Sequence, residues 1–305
     1  MRIAIKIDID TRIGTEQGIP RLLSIFRSHG VRGSFYAVFG PDNSGKAIRR
    51  VFTRRGFVGK MARTNPLKIY GLKTLLYGTL LPAPPTGLAF PDLLKGIESG
   101  GHELGLHAWD HVLWHDYVST WDERRVAEEL ERGAGAFEKV MGRRPAAVAA
   151  PGWQVTPASL KVQDGMSLSY ASDSRGRSPF YPVVGPQSRT TLQIPGTLPT
   201  VDELLGRDGI HEGNVLDHLE SLLVEDRLNV YTGHAEIEGM YLADLFERWI
   251  RRLVGQGATF GTLAEAADQA RSALPPPPRC ELVMDVVAGR AGPVACQGAL
   301  LESRP

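Results

Sequence analysis

Apolar and polar positions along the chain change period repeatedly. Short runs rich in β-branched and apolar residues recur at "IAIKID" (3–8), "GSFYAVFG" (33–40), "HELGLH" (102–107), "AAVAAPG" (146–152), "LSYASD" (168–173), "TLQIPG" (191–196), "LNVYTGH" (228–234) and "ATFGTL" (258–263). Each has the length and bounding turn residues of a strand. Between several of them the period lengthens to that of a helix: "PRLLSIFRSHG", whose last glycine suits a C-cap, "PDLLKGIESGG", "TWDERRVAEELERGAGAFEKVMG" and "MYLADLFERWIRRLVGQG". Thr120 and Glu123 stand in capping-box spacing at the start of the third. Strand followed by helix, repeated this often, predicts an α/β fold with a parallel sheet closed or nearly closed into a barrel of about seven strands. In such a barrel the chemistry collects at the C-terminal ends of the strands.

Composition agrees with one large globular domain: 305 residues, 42% hydrophobic and 23% charged. The net charge of +1 provides no global attraction to nucleic acid. Only two cysteines occur, Cys280 and Cys296, so neither a disulfide framework nor a cysteine-rich metal site is expected, which fits a reducing compartment. The N-terminus runs from Met1-Arg2 straight into a strand pattern, without the apolar region and cleavage site of a signal peptide. The longest uncharged run, Leu75 to Phe90, is broken by Pro82, Pro84 and Pro85, so no membrane span is expected.

Candidate chemistry begins at "GLHAWDH", where His107 and His111 stand four apart. On one helical turn that spacing puts two imidazoles on one face, within reach of one cation. It is also a common accident, and the HExxH zincin pattern is absent, since His102-Glu103 is followed by His107 at i+5. Other polar groups fall at strand ends too: Asp8 and Asp10, Pro151-Gly152-Trp153, Asp173 and Arg175, and His234. Singly, each has a structural explanation, a strand-ending turn or a hydrogen-bonded core histidine. Jointly, acids and bases delivered by several strands to one rim are what a barrel active site looks like.

The segments "KIDIDT", "HAWDH", "APGW", "SDSRG" and "YTGHAE", in that order, resemble the polysaccharide-deacetylase (NodB-homology) superfamily. "GIPRLL", "GPDN" and "TLPTVDE" bring the chain nearer to the branch that deformylates a formamido-arabinose carried on polyprenyl phosphate. The resemblance covers about Met1 to Ala267 and implies an irregular (β/α) barrel. It implies Asp8 as general base, Asp10, His107 and His111 as ligands of one divalent transition metal (zinc first, with manganese, cobalt, nickel or iron as alternatives), and His234 as general acid. Pro151, Gly152 and Trp153 would line the substrate pocket, with oxyanion-stabilising N–H groups around Gly152 and Trp153 and the Trp153 ring available to stack on the sugar. Asp42 and Asn43 of the "GPDNSG" turn would touch the sugar phosphate or shape the turn. Asp173 would either hold the ligand shell or pair with Arg175. In the family's third motif an arginine orients the catalytic aspartate; that position here is Ala149, and Arg175 is the candidate to replace it. The implied activity is hydrolysis of the formamide at the cytoplasmic face of the inner membrane, in lipid A modification and polymyxin resistance. The alternatives are deacetylation of another N-acyl sugar and a metal-free module that binds lipid carriers; metal analysis and the acid released would separate them.

Two further segments stand apart. Residues 43–91 carry Lys46, Arg49, Arg50, Arg54, Arg55, Lys60, Arg63, Lys68 and Lys73 among apolar residues, with no acid before Asp92, so the rest of the chain is net negative. The mixture suits an inserted helical segment on an anionic membrane surface; a solvated basic insertion is the alternative, and the apolar content argues against nucleic acid. After "PPPP" (275–278) the tail to Pro305 reads as a low-complexity, disordered extension beyond a domain of residues 1–274. Trp114, Trp121 and Trp249 read as packing residues.

Overall fold

A computed structural model describes residues 1–49 and 66–301. The strands are β1 Arg2–Ile9, β2 Ser34–Val38, β3 Glu103–Ala108, β4 Ala147–Val148, β5 Tyr170–Ala171, β6 Tyr181–Val184, β7 Gln187–Ser188, β8 Leu228–His234, β9 Thr259–Gly261, β10 Arg279–Val286 and β11 Pro293–Leu300. Seven of them form one curled parallel sheet in the order β5-β4-β3-β2-β1-β8, with β9 paired to the start of β1. The expected α/β barrel is therefore present as a curled half-barrel, open between β5 and β8. Its open side is spanned by "TLQIPGTL": Ile194 donates to Ala171 O, and Thr197 and Leu198 both donate to Val230 O, so this irregular segment bridges β5 and β8.

Strand β1 explains the layering. Residues Ile3 to Ile9 are all buried, as expected of a parallel strand covered on both faces. Its period of two sends Ile3, Ile5, Ile7 and Ile9 into the core beneath helices Ile19–His29 and Ala243–Gly255. It sends Ala4, Lys6 and Asp8 the other way, into the barrel interior, where Ala4 meets Tyr36, Tyr170 and Ile194. Helix Ile19–His29 stops at Gly30, whose φ of 65° is available to glycine at little cost.

Three expectations give way. The segment "TLQIPG" (191–196), expected as a strand, is irregular and makes only isolated bridges. Helix Glu123–Met141 is capped by Asp122, which accepts from Arg125 N, while the Thr120 hydroxyl turns back to Tyr117 O. The residues after the proline run are also ordered. β10 and β11 form an antiparallel hairpin, β10 pairs in parallel with β6, and Arg175 N–H and C=O bond Ala295 and Gln297. A hairpin alone is marginal, and this one draws its order from a neighbouring strand edge that is remote in sequence. Of the basic segment, residues 50–65, with Arg50, Arg54, Arg55, Lys60 and Arg63, lie outside the described residues. Its described end holds a short helix, Pro66–Thr74.

Trp114 and Trp249 are fully buried, and Trp249 packs edge-on to Tyr231 with ring centroids 4.7 Å apart. We expect Trp249→Ala to cost about 3–5 kcal/mol in a urea melt, and Leu80→Ala, whose side chain is exposed, to change stability by less than about 0.5 kcal/mol.

Candidate metal centre and active site

Asp8, Asp10, His107, His111 and His234 come together at the C-terminal ends of β1, β3 and β8. The two histidines do not share a helical turn. His107 lies in β3, and the chain then passes through Ala108, whose φ of 129° is a conformation L residues rarely adopt. It enters helix His111–Tyr117 behind Asp110, whose carboxylate caps Leu113 N. This strained exit brings the two rings to a centroid distance of 5.5 Å. Between them lies Asp10, with Oδ1 3.2 Å from His107 Nε2 and Oδ2 3.4 Å from His111 Nε2.

The donor set fits a metal ion. One ligand atom from each of Asp10, His107 and His111 falls within 4.8 Å of the other two. His107 Nδ1 lies 2.8 Å from Ala149 O; donating there leaves the Nε2 lone pair facing Asp10 Oδ1, a buried oxygen with no hydrogen-bond donor. Two lone pairs at that distance repel unless a proton or a cation sits between them. Burial raises the Asp10 pKa, but His111 and His107 outweigh it, and the carboxyl is held far below its ordinary range.

Around this centre the backing is dense. Asp173, buried, accepts Ala150 N at 2.6 Å, and so fixes the segment whose carbonyl holds His107; burial pushes its pKa up. Its side chain makes no pair with Arg175. Asp8 Oδ2 is paired at 3.3 Å with Lys6 Nζ, which also donates to Ser172 O at 3.1 Å. Arg175 instead forks both oxygens of Glu203 at 2.9 Å and donates to Leu198 O. The contact expected of Arg175 thus falls to a lysine two residues before Asp8 on the same strand face. Glu236 accepts from the N–H groups of Asp10 and Thr11 and from the Thr11 hydroxyl, and burial followed by the Asp10 charge pushes it up to about 7. Glu238 accepts from His234 N and the Tyr231 hydroxyl. Burial lowers the His234 pKa, yet Asp10, Asp202, Glu238 and Asp8 outweigh it and leave it raised.

Several expected substrate contacts are occupied otherwise. Asp42 accepts from Arg12 N and from Ser44, and Asn43 donates to Asp110 at 2.5 Å, so both shape their loop. The N–H of Trp153 is spent on Ala150 O within the turn Pro151–Trp153. Its ring is 3% exposed and lies against Lys6, Arg175 and Arg290, which leaves no open face for a sugar. Lys6, Glu236 and Glu238 were missed by sequence reasoning. The signal for the first was a lysine in an apolar strand, in step with Asp8 and Asp10; for the others, acids at i+2 and i+4 from His234 in "HAEIE".

Fold and site together define a class. The family described as polysaccharide deacetylase matches residues 3–171, and the chain belongs to this family. Among its curated relatives is the "Probable 4-deoxy-4-formamido-L-arabinose-phosphoundecaprenol deformylase ArnD" of Shewanella sediminis (strain HAW-EB3), 38% identical over 88% of this chain and 86% of the relative. The protein of the same name from Wigglesworthia glossinidia brevipalpis is 31% identical over 95% of this chain and 100% of its own length. Among solved structures, a putative polysaccharide deacetylase from Mycobacterium smegmatis shares the fold, with a TM-score of 0.64 over 94% of both chains at 18% identity.

Losing the Lys6 partner leaves Asp8 with an uncompensated buried charge. We expect Lys6→Met to lower turnover roughly 10–100-fold while the bound metal stays stoichiometric, as checked by kinetics alongside elemental analysis.

Proposed function

We propose that this protein is a metal-dependent amide hydrolase that releases formate from a 4-formamido-4-deoxy-L-arabinose joined to a polyprenyl phosphate. The observation that carries the reading is the Asp10, His107 and His111 triad, with Asp8 and His234 facing each other in register on β1 and β8 beside it. The substrate comes from the printed names of the two curated relatives. Asp10, His107 and His111 hold the cation, zinc or another divalent transition metal, and Pro151 and Gly152 form part of the surrounding wall. When bound, the ion polarises the formyl oxygen and makes water more acidic.

The chain's own residues do the rest. Asp8 takes the proton of the attacking water; its Oδ1 is buried without a hydrogen-bond donor, while Oδ2 is fixed by Lys6. The water oxygen bonds to the formyl carbon, and the carbon–nitrogen bond then breaks. His234, whose protonated form its surrounding carboxylates favour, donates to the departing amine. Acid and base stand on adjoining strands because one proton must leave and another arrive on different sides of one carbon. Glu236 and Glu238 hold the backbone of Asp10 and His234, so the two ends of the reaction share one support.

A glycolipid substrate implies a membrane surface. The reading is peripheral attachment at the cytoplasmic face of the inner membrane, in lipid A modification; no helix of the described residues is long and apolar enough to cross a bilayer. The exposed Leu67, Leu72 and Leu80 at the described end of the basic segment support that attachment.

Two tests apply. Stripping divalent metal should abolish formate release from the formamido-arabinose phospholipid and readdition restore it, while Asp8→Ala stays inactive with metal bound and His107→Ala loses the metal. Acetate release from an acetylated analogue at an equal or higher rate would refute the formyl assignment. Replacing Arg50, Arg54 and Arg55 together with alanine should weaken co-sedimentation with anionic vesicles about 10-fold or more, at about 1 kcal/mol per residue; unchanged co-sedimentation would remove the membrane role of the segment.

A further inference from the structure

One cluster of charged side chains stands outside the reaction groups. The turn joining β10 to β11 lies over the "TLPTVDE" segment, with Gly289 (φ 88°) so close that a Cβ there would sit 2.4 Å from Glu203 O. The next residue, Arg290, carries its guanidinium 4.7 Å from the Trp153 ring centroid, and the Arg175 guanidinium is 5.0 Å from the same centroid. Both approach one carboxylate, that of the fully buried Glu203. Its oxygens already accept from Arg175 at 2.9 Å each and from Thr200 N at 3.1 Å, and Arg290 Nε lies 3.7 Å from Oε1, beyond hydrogen-bond range.

Two guanidiniums therefore share a carboxylate with little capacity left. Among the described residues the Arg290 guanidinium has no hydrogen-bond acceptor, and the buried Trp153 Nε1 and Arg175 Nε have none either. Buried donors in native proteins are almost always satisfied. The cluster is short of an oxyanion. Arg175 is tied at both ends, by Glu203 and Leu198 O, whereas Arg290 has a long ion pair to Glu203, 3.7 Å from its Nε, beside its contact with the Trp153 ring, and its terminal nitrogens make no hydrogen bond to a described residue. Lys6, the partner of Asp8, approaches the same indole, with its Nζ 5.5 Å from the ring centroid.

We propose that Arg290, at the turn of the C-terminal hairpin, binds the phosphodiester of the sugar-lipid substrate and fixes the sugar relative to the metal centre. The proposal rests on the function above for the identity of the substrate. It gives the hairpin a reason to be docked on the barrel: it delivers a phosphate-reading cation to a rim otherwise rich in carboxylates. A planar guanidinium stacked on an indole keeps its edge N–H groups for two phosphate oxygens.

The test compares formamido-arabinose joined to a short prenyl chain through a phosphodiester with the same sugar joined directly as a prenyl glycoside, using metal-loaded protein. Arg290→Gln should raise KM for the phosphodiester at least 10-fold, leave kcat within twofold, and leave kcat/KM for the glycoside within twofold. Arg290→Lys should recover part of the loss. Equal losses on both substrates, or none on either, would overturn the proposal. If the wild-type protein releases no formate from either compound, the functional reading fails by itself. The subsite is then judged by calorimetric binding of a prenyl phosphodiester, where undiminished affinity in Arg290→Gln overturns it and a 10-fold loss upholds it. Co-sedimentation with phosphatidylglycerol vesicles separates the two sources of a phosphodiester: a loss there as large as for the substrate would make Arg290 a headgroup contact and overturn its role in substrate binding.

Discussion

The structure turns on a strand that buries charge. β1 sends Lys6 and Asp8 into the barrel interior and brings Asp10 to its rim, and an ionised group in that setting is tolerated only when paired or bound to a cation. Lys6 balances Asp8. Asp10 has no lysine; it has two imidazoles, a neighbouring backbone tied to Glu236, and the geometry of a metal ligand. The neighbouring acids Asp173, Glu236 and Glu238 add like charge, and they hold the site through backbone N–H groups.

Backbone support comes from several sides of the barrel. Asp173 on the segment after β5 fixes Ala150, whose neighbour Ala149 orients His107 through its carbonyl. Glu238 fixes His234 from beyond β8. The hairpin that follows the last helix closes the rim over Trp153 and Glu203. Backbone strain is visible at the site at Trp153, with a φ of 54°, and at the exit of β3 through Ala108, which converts a strand histidine and a helix histidine into a facing pair. Ala149 carries no charge, and the ion-pair partner of Asp8 comes from within β1. A lysine two residues before the aspartate shares its strand face, so the pairing needs no partner from another loop.

The alternation of β1 and the order of the strand and helix patterns made the barrel readable in the sequence, because period-two and period-3.6 burial are local properties. The candidate site was legible through motif order, since Asp8, Asp10, His107 and His234 lie at or just past the ends of strands that a parallel barrel brings to one rim, with His111 at the start of the helix that follows. Local capping was legible less well: Asp122 and Thr120 are both good caps, and only the entry angle of the helix chose between them.

What the sequence determined by itself was the alternation of strand and helix that builds the parallel sheet and the candidate groups at its rim, because hydrophobic period and residue chemistry are carried by neighbours in the chain. What only the tertiary structure decided was partnership between residues far apart in the chain: Lys6 and not Arg175 beside Asp8, Arg175 with Glu203, Trp153 enclosed by cations instead of open to a sugar, and an ordered hairpin where composition suggested a loose tail. A buried charge takes whichever counter-charge the fold brings within a few ångströms, and a strand edge takes whichever strand lies beside it, and neither distance is written in the spacing of residues along the chain.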